Sequence, residues 1–263
     1  MKVWLENDLL PTTHQRVFDR YYSSYKRHFP PRLQYYYSRQ VREVMELVRA
    51  QPDRRVLEIG CGTGTESLWM AMNGALVRAI ELSTERFEVA LARKAALEAH
   101  LGRTLGCDFM NQSLLDLGDE ERYDIIWMEQ AFHHLEPRAR VVQKIASLVE
   151  PGGYVVISEA NALNPLLQAQ LLWRRGFRTQ KEYRDDAGRI HPYGDERVLT
   201  GHRLGRWLAS QGIETVSIEH FRVFPNNHRF DHLLDIERSL PSWVLPMFTH
   251  YNYVGRKIVE RAV

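Results

Sequence analysis

The stretch Val56-Leu-Glu-Ile-Gly-Cys-Gly-Thr-Gly64 decides the fold, and Glu81, in Val77-Arg-Ala-Ile-Glu-Leu-Ser83, completes its meaning. An aliphatic run ending in a Gly-rich turn, then a helix, a second strand and a carboxylate, is how an α/β sheet holds a ribose-bearing ligand at the carboxyl edge of its strands. Glycine lets the backbone pass close to a ligand where a Cβ would clash. The carboxylate accepts hydrogen bonds from the two ribose hydroxyls, and a charged acceptor makes them shorter and stronger than a neutral one. In the dinucleotide fingerprint G-x-G-x-x-G the third glycine stands three positions after the second. Here Gly60, Gly62 and Gly64 give G-x-G-x-G, with Thr65 where that fingerprint requires glycine.

Preceded by Glu58, this segment resembles the first motif of class I S-adenosylmethionine-dependent methyltransferases, in particular the small-molecule (type 11) kind. Further pieces follow in that family's order. A third strand is read near Leu105 to Met110, and Tyr123-Asp-Ile-Ile-Trp-Met-Glu129 is similar to the fourth strand. Phe132-His-His-Leu-Glu-Pro137 follows, and Leu148-Val-Glu-Pro-Gly-Gly-Tyr-Val-Val-Ile-Ser158 looks like the turn into strand five. The resemblance covers residues 55–160 strongly and the remainder weakly.

The resemblance implies an α/β fold: a doubly wound, mostly parallel seven-stranded sheet with helices on both faces, N-terminal helices, and a cap-like insertion after strand five. Residues 1–50 would form the helical extension and 51–263 the catalytic domain, with the variable insertion at about 160–198. The cofactor implied is S-adenosylmethionine. Gly60, Cys61, Gly62 and Gly64 would line its methionine end, with Glu58 near the amino group and Glu129 contributing backbone there. Glu81 would hold the ribose, with Leu82 beside it. Ser113 stands where the family commonly has an adenine-binding Asp, Leu114 would supply the neighbouring backbone N–H, and Asp116 is the other candidate.

The rest of the chain is consistent with one α/β domain carrying additions, for 263 residues bury a sizeable core. With 35 basic against 33 acidic residues there is no electrostatic case for nucleic acid, which needs a concentrated basic face. Cys61 and Cys107 provide no disulfide framework and no cluster-binding triplet, so a thiol-reducing, cytoplasmic setting is expected. Met1-Lys-Val-Trp-Leu-Glu-Asn-Asp-Leu-Leu10 breaks its apolar residues with two acids and does not read as a signal peptide. No run approaches the roughly 20 apolar residues needed to span a bilayer, so stable membrane insertion is not expected. A homo-oligomer is compatible with all of this.

Before the decisive motif, Tyr37, Val41, Val44, Met45 and Val48 recur at three- and four-residue steps and predict an amphipathic helix over 34–49. Tyr21, Tyr22 and Tyr25 read as packing residues with a wet hydroxyl end, or as a lid over the cofactor carboxylate. Ser83 is expected to cap the second sheet helix, which would bury Phe87, Leu91 and Ala95. Strand and helix are expected to alternate in five β–α steps between Val56 and Ser158. Thr200 is expected to cap a helix stopped by Gly212, with strands at 213–221 and 248–254. In the insertion, Asn164 to Trp173 suits an apolar helix. The charged part, with Arg174, Arg175, Arg178, Lys181 and Arg184 opposed by Glu182, Asp185 and Asp186, reads as a solvated helical excursion or as a cap whose arginines meet an anionic acceptor.

Methyl transfer from a sulfonium is an in-line displacement, so the protein must align the nucleophile, exclude water and remove a proton where the acceptor carries one. His133 and His134 follow the fourth strand and titrate near neutral pH, which makes one of them the candidate general base for a hydroxyl acceptor. After Glu129 comes Gln-Ala-Phe and no Asn/Asp-Pro-Pro-aromatic run, so amino methylation of flipped bases is not indicated. No Pro-Cys pair supports a thiolate adduct, and no carboxylate cluster suggests a metal. A small organic acceptor methylated at oxygen is the reading that remains, with Trp173, Phe177, Phe224, Trp243 and Phe248 as possible pocket walls. Its alternatives are a repurposed S-adenosylmethionine-binding protein and a nicotinamide-dependent oxidoreductase.

Overall fold

The computed structural model describes residues 2–25, 29–186, 188–225 and 228–259. Side chains two apart along a strand share a face. Val56, Ile125, Trp127 and Val156 therefore bury one face of the central sheet, and Leu57, Ile59, Ile126, Met128, Val155 and Ile157 bury the other. The strands are β1 (Arg55–Ile59), β2 (Leu76–Ile80), β3 (Cys107–Met110), β4 (Tyr123–Glu129), β5 (Val149–Ala160), β8 (Ile213–Phe221) and β9 (His250–Lys257), in spatial order β3-β2-β1-β4-β5-β9-β8. Between β5 and β8 the chain makes a separate antiparallel hairpin of β6 (Gln180–Arg184) and β7 (Ile190–Gly194). The five strands from β3 to β5 run parallel, and β9 enters antiparallel to both β5 and β8. The sheet is the seven-stranded, mostly parallel one expected. Its order reverses between β1 and β4, the position at which open α/β sheets bind ligands.

The helices are α1 (Lys2–Glu6), α2 (Thr12–Tyr21), α3 (Pro31–Ala50), α4 (Thr65–Met72), α5 (Thr84–Leu101), α6 (Arg138–Leu148), α7 (Pro165–Arg175), α8 (Gly201–Ala209) and α9 (Leu234–Arg238). Helix α3 starts with Pro31 at its first position, where the missing N–H costs nothing. It buries Tyr37, Val41, Val44, Met45 and Val48, the predicted stripe. Thr200 caps α8 by accepting the Arg203 N–H at 3.1 Å.

Several expectations fail locally. Helix α5 buries Val89, Ala90 and Arg93, and leaves Leu91 and Ala95 exposed, because it packs on α2 as well as on the sheet. Ser83 precedes it without a side-chain cap; its N–H is taken by Glu81. Strands β3 and β4 are joined by a single 3₁₀ turn, Leu114–Asp116, so one of the five β–α steps lacks its helix. The charged part of the insertion is the β6–β7 hairpin and not a helical excursion, and α7 exposes most of its apolar residues. The strands at 105–110 and 248–254 lie at 107–110 and 250–257.

The N-terminal helices are fixed by Arg93, 1% exposed. Its Nη1 donates to the Thr63 carbonyl and to Thr65 Oγ1, each at 2.7 Å, and its guanidinium lies 4.8 Å from the Trp4 ring centroid and 5.0 Å from that of Phe18. Burial lowers its pKa, opposed by Tyr22 and Glu66. Removing one partner of such a buried network leaves the others uncompensated. Arg93→Leu is expected to lower the unfolding free energy by about 3 kcal/mol, to be read from urea-induced unfolding.

Candidate active site

The turn after β1 is held to the end of β2: the Gly60 and Cys61 N–H groups both donate to the Ile80 carbonyl, at 2.8 and 3.1 Å. Gly62 and Gly64 take left-handed backbone angles, with φ of +56° and +75°, and a Cβ on Gly62 would lie 2.4 Å from the Tyr21 hydroxyl. Glu81, just beyond β2, accepts the Gly62 N–H on Oε2 and the Ser83 N–H on Oε1, both at 2.9 Å. The carboxylate is thereby oriented before any ligand arrives, and each oxygen retains acceptor capacity.

A cavity of about 420 Å³ opens at this edge. Gly60, Glu81, Leu82, Ser113, Leu114 and Glu129 line it, together with Tyr21, Ile59, Ile80, Leu135, His134 and Tyr193. Glu58, Cys61, Gly62, Gly64 and His133 do not. Glu58 shares the face of Val56, turned away from the cavity, and accepts a hydrogen bond from Ser67 on α4. Burial, then the neighbouring Glu66, raises its pKa well above the carboxylate range. Cys61 is buried and its thiol is pushed up by burial and by Glu58, which keeps it protonated. Ser113 caps the 3₁₀ turn, its Oγ accepting the Leu115 N–H at 3.3 Å, and Asp116 also borders the cavity. Glu129 accepts from Gln40, and burial and Glu66 raise its pKa.

The donor set fits an adenosyl cofactor. A pre-oriented carboxylate stands at one wall, Ile59, Ile80, Leu82, Leu114 and Leu135 supply the apolar surface for a base, and the left-handed turn brings bare backbone to the edge.

Beyond the cavity, the two histidines part. His133 sits at 5% exposure; its Nδ1 is 2.8 Å from Glu159 Oε2, and its backbone N–H donates to Glu159 Oε1 at 3.2 Å. Because a carboxylate only accepts, Nδ1 carries the proton and Nε2 presents the lone pair. Burial works against charge on His133, but the charge and hydrogen bond of Glu159, with Glu196, outweigh it and leave its pKa raised. His134 Nδ1 donates to the Gly194 carbonyl at 2.9 Å, and its ring stacks on Tyr193 at 4.5 Å between centroids. Burial and the adjacent His133 push its pKa down to about 4. Glu196, with a left-handed φ of +53°, lies 3.7 Å from His133 Nε2, and His133, His134 and Glu196 each bring a donor atom within 4.8 Å of the others. No spacing in the sequence shows that grouping.

The hairpin closes over this assembly. Tyr193 bridges to Leu135, Arg197 Nη1 donates to Glu136 Oε1 at 2.7 Å, and a Cβ on Gly194 would lie 2.1 Å from the His133 carbonyl. Arg178 and Lys181, read as possible anion ligands, are both bound to Asp195 at 2.9 Å. Trp173 and Phe177 point to solvent rather than into a pocket, Phe224 is half-buried and Phe248 buried; the Trp243 side chain lies outside the described residues. Sequence reasoning missed Glu159, Glu196 and Tyr193. Glu159 alone left a signal: an acid directly after the buried run Val155-Val-Ile-Ser158 is at a strand's carboxyl end.

A family model described as a methyltransferase domain matches residues 29–218. The chain belongs to this family. It is an S-adenosylmethionine-dependent methyltransferase of class I, which sets the nicotinamide reading aside. Among its relatives, a ubiquinone biosynthesis O-methyltransferase of Burkholderia pseudomallei is 30% identical over 179 residues, 68% of this chain and 72% of the relative. One of the same name from Coxiella burnetii is 26% identical over 202 residues, 75% and 77% of the two chains. Magnesium protoporphyrin IX methyltransferase from Synechocystis, solved with S-adenosylhomocysteine, shares the fold at TM-score 0.60 and 18% identity over 93% of this chain and 95% of that one. The [4+2]-cyclase SpnF shares it at TM-score 0.53 and 18% identity over 82% and 80%. Glu81→Ala is expected to weaken S-adenosylhomocysteine binding by about 10²- to 10⁴-fold, the loss of two charged hydrogen bonds, measured by calorimetric titration.

Proposed function

We propose that this methyltransferase transfers its methyl group to a hydroxyl oxygen of a small organic acceptor, with His133 as general base. The observation that carries this reading is the His133–Glu159 pair at the carboxyl ends of β4 and β5. Glu159 holds Nδ1–H and leaves the Nε2 lone pair as the base, the arrangement in which a third group orients a catalytic imidazole. Glu159 is a positioning residue. The neutral His134, which lines the cofactor cavity, fixes the hairpin that closes the site. S-adenosylmethionine, when bound, supplies an activated methyl group on sulfur; the protein's residues align the acceptor, keep out water and take its proton. The relatives named O-methyltransferases support oxygen as the methylated atom. Two buried thiols without a disulfide, Cys61 and Cys107, suit a reducing, cytoplasmic setting.

A base must be unprotonated to act, so activity is expected to fall as pH drops through the raised His133 pKa, above the ordinary ~6.5. In Glu159→Gln the larger part of the opposition to burial is removed while Glu196 remains, and this acid limb should move to lower pH with a reduced plateau. His133→Ala is expected to lower kcat by about 10²- to 10⁴-fold and to abolish the limb. Rates of S-adenosylhomocysteine formation with a panel of phenols and enols, taken across pH, test both; an acid limb unmoved in Glu159→Gln would sink the assignment.

A second reading, a repurposed cofactor-binding protein, draws on Ser113 in place of the family's adenine-binding Asp and on the cyclase that shares the fold. Cofactor binding without methyl transfer to any member of the panel would favour it.

A further inference from the structure

Helix α7 is mounted rigidly and turned outward. At its base Asn161 and Asn164, 0% and 3% exposed, are fully engaged. Asn161 Nδ2 donates to the Leu245 and Phe248 carbonyls, and Asn164 Nδ2 to those of Pro246 and Met247. Asn164 Oδ1 caps the helix by accepting the Leu167 N–H at 2.9 Å. Only Leu171 is buried. Leu166 and Trp173, seven residues apart and so on one face, are 79% and 88% exposed, and Phe177 in the following turn is 93% exposed. Single exposed apolar residues are ordinary, but a tryptophan, a phenylalanine and a leucine held out on one anchored element are not.

Charge says what covers them. Of the six basic side chains in residues 165–194, Arg178 and Lys181 are bound to Asp195 and Arg189 to Asp185, which leaves Arg174, Arg175 and Arg184 without a carboxylate partner among the described residues. Arg174, beside Trp173, makes no hydrogen bond or ion pair among the described residues, and Arg175 and Arg184 bond only backbone carbonyls. An aromatic pair beside guanidinium groups that no carboxylate neutralises matches the boundary between acyl chains and anionic headgroups, where tryptophan is favoured and each cation near the surface is attracted. A second copy of the chain fits less well. Its unneutralised arginines would face their own kind, and three side chains fall short of the roughly 1,200–2,000 Å² of a stable interface.

We propose that the outer face of α7 and the turn through Phe177 dock this protein on an anionic lipid bilayer, without crossing it. No described helix is long and apolar enough to cross a membrane. The β6–β7 hairpin, which covers the cofactor cavity, follows this face directly along the chain. The inference stands on exposure and charge and is independent of the acceptor chemistry proposed above.

The test is co-sedimentation of the full chain with vesicles of phosphatidylcholine alone and of phosphatidylcholine mixed with phosphatidylglycerol. Binding to the mixed vesicles, weakened by salt, is expected. Trp173→Ser with Phe177→Ser should lower the bound fraction by about tenfold or more, and Arg174→Glu should weaken it on the anionic vesicles, with thermal unfolding and S-adenosylhomocysteine binding unchanged in each variant. Three results would overturn the proposal: no binding to either vesicle, binding that the double variant retains, or self-association in sedimentation equilibrium that the double variant abolishes without any vesicle binding.

Discussion

The Glu81 carboxylate is the interaction on which the site depends. It accepts the Gly62 N–H from the turn after β1 and the Ser83 N–H from the start of α5, and so fixes two backbone segments at the point where the strand order reverses. At 6% exposure the charge is tolerated because both oxygens are hydrogen-bonded and Arg86 lies 3.9 Å away. The same group that would receive ribose hydroxyls also shapes the loop that meets the rest of the cofactor. Part of the ordering that binding requires is already done in the fold.

Beneath that turn runs a buried polar layer. Ser67 bonds Glu58, Tyr37 bonds Glu66 at 2.5 Å, Tyr22 bonds Thr65 at 2.7 Å, and Arg93 spans Thr63 and Thr65. Its members come from the end of α2, α3, α4, α5, β1 and the turn after it, so the N-terminal helices and the cofactor turn hold one another in place. Burial raises the pKa of Glu66, as of Glu58, and its hydrogen bond from Tyr37 lowers it. Glu58 thus acts through the shape of the turn rather than by facing the cavity. Tyr21 does face it, at the edge of the same layer.

On the other side of the cavity the insertion completes what the sheet begins. His133 is set by Glu159 from β5, and its neighbour His134 by Gly194 and Tyr193 from the hairpin. Gly194 has no room for a side chain against the His133 carbonyl, which is why a hairpin otherwise exposed must keep glycine there. Two adjacent imidazoles in one loop end with pKa values moved in opposite directions, one paired with a carboxylate and one with a neutral carbonyl.

The sequence by itself determined the sheet, the class of cofactor and the stripe of α3, because these rest on local periodicity and on a turn whose glycines are required by backbone sterics. It also located Glu81, since the distance along the chain from β1 to the end of β2 is set by one helix and one crossover. Only the tertiary structure decided that Glu58 and Cys61 turn away from the cavity: Glu58 follows Val56 onto a buried face by strand alternation, while Cys61 is carried inward by the turn. The pairing of His133 with Glu159, 26 residues apart, likewise exists only once β4 and β5 lie side by side. The hairpin escaped because Gln180 to Gly194 is too charged to alternate visibly; its strands are held by each other and by Asp195 and Asp185 accepting nearby cations, contacts that composition records but does not place. What depends on neighbours along the chain was legible, and what depends on which surfaces meet was not.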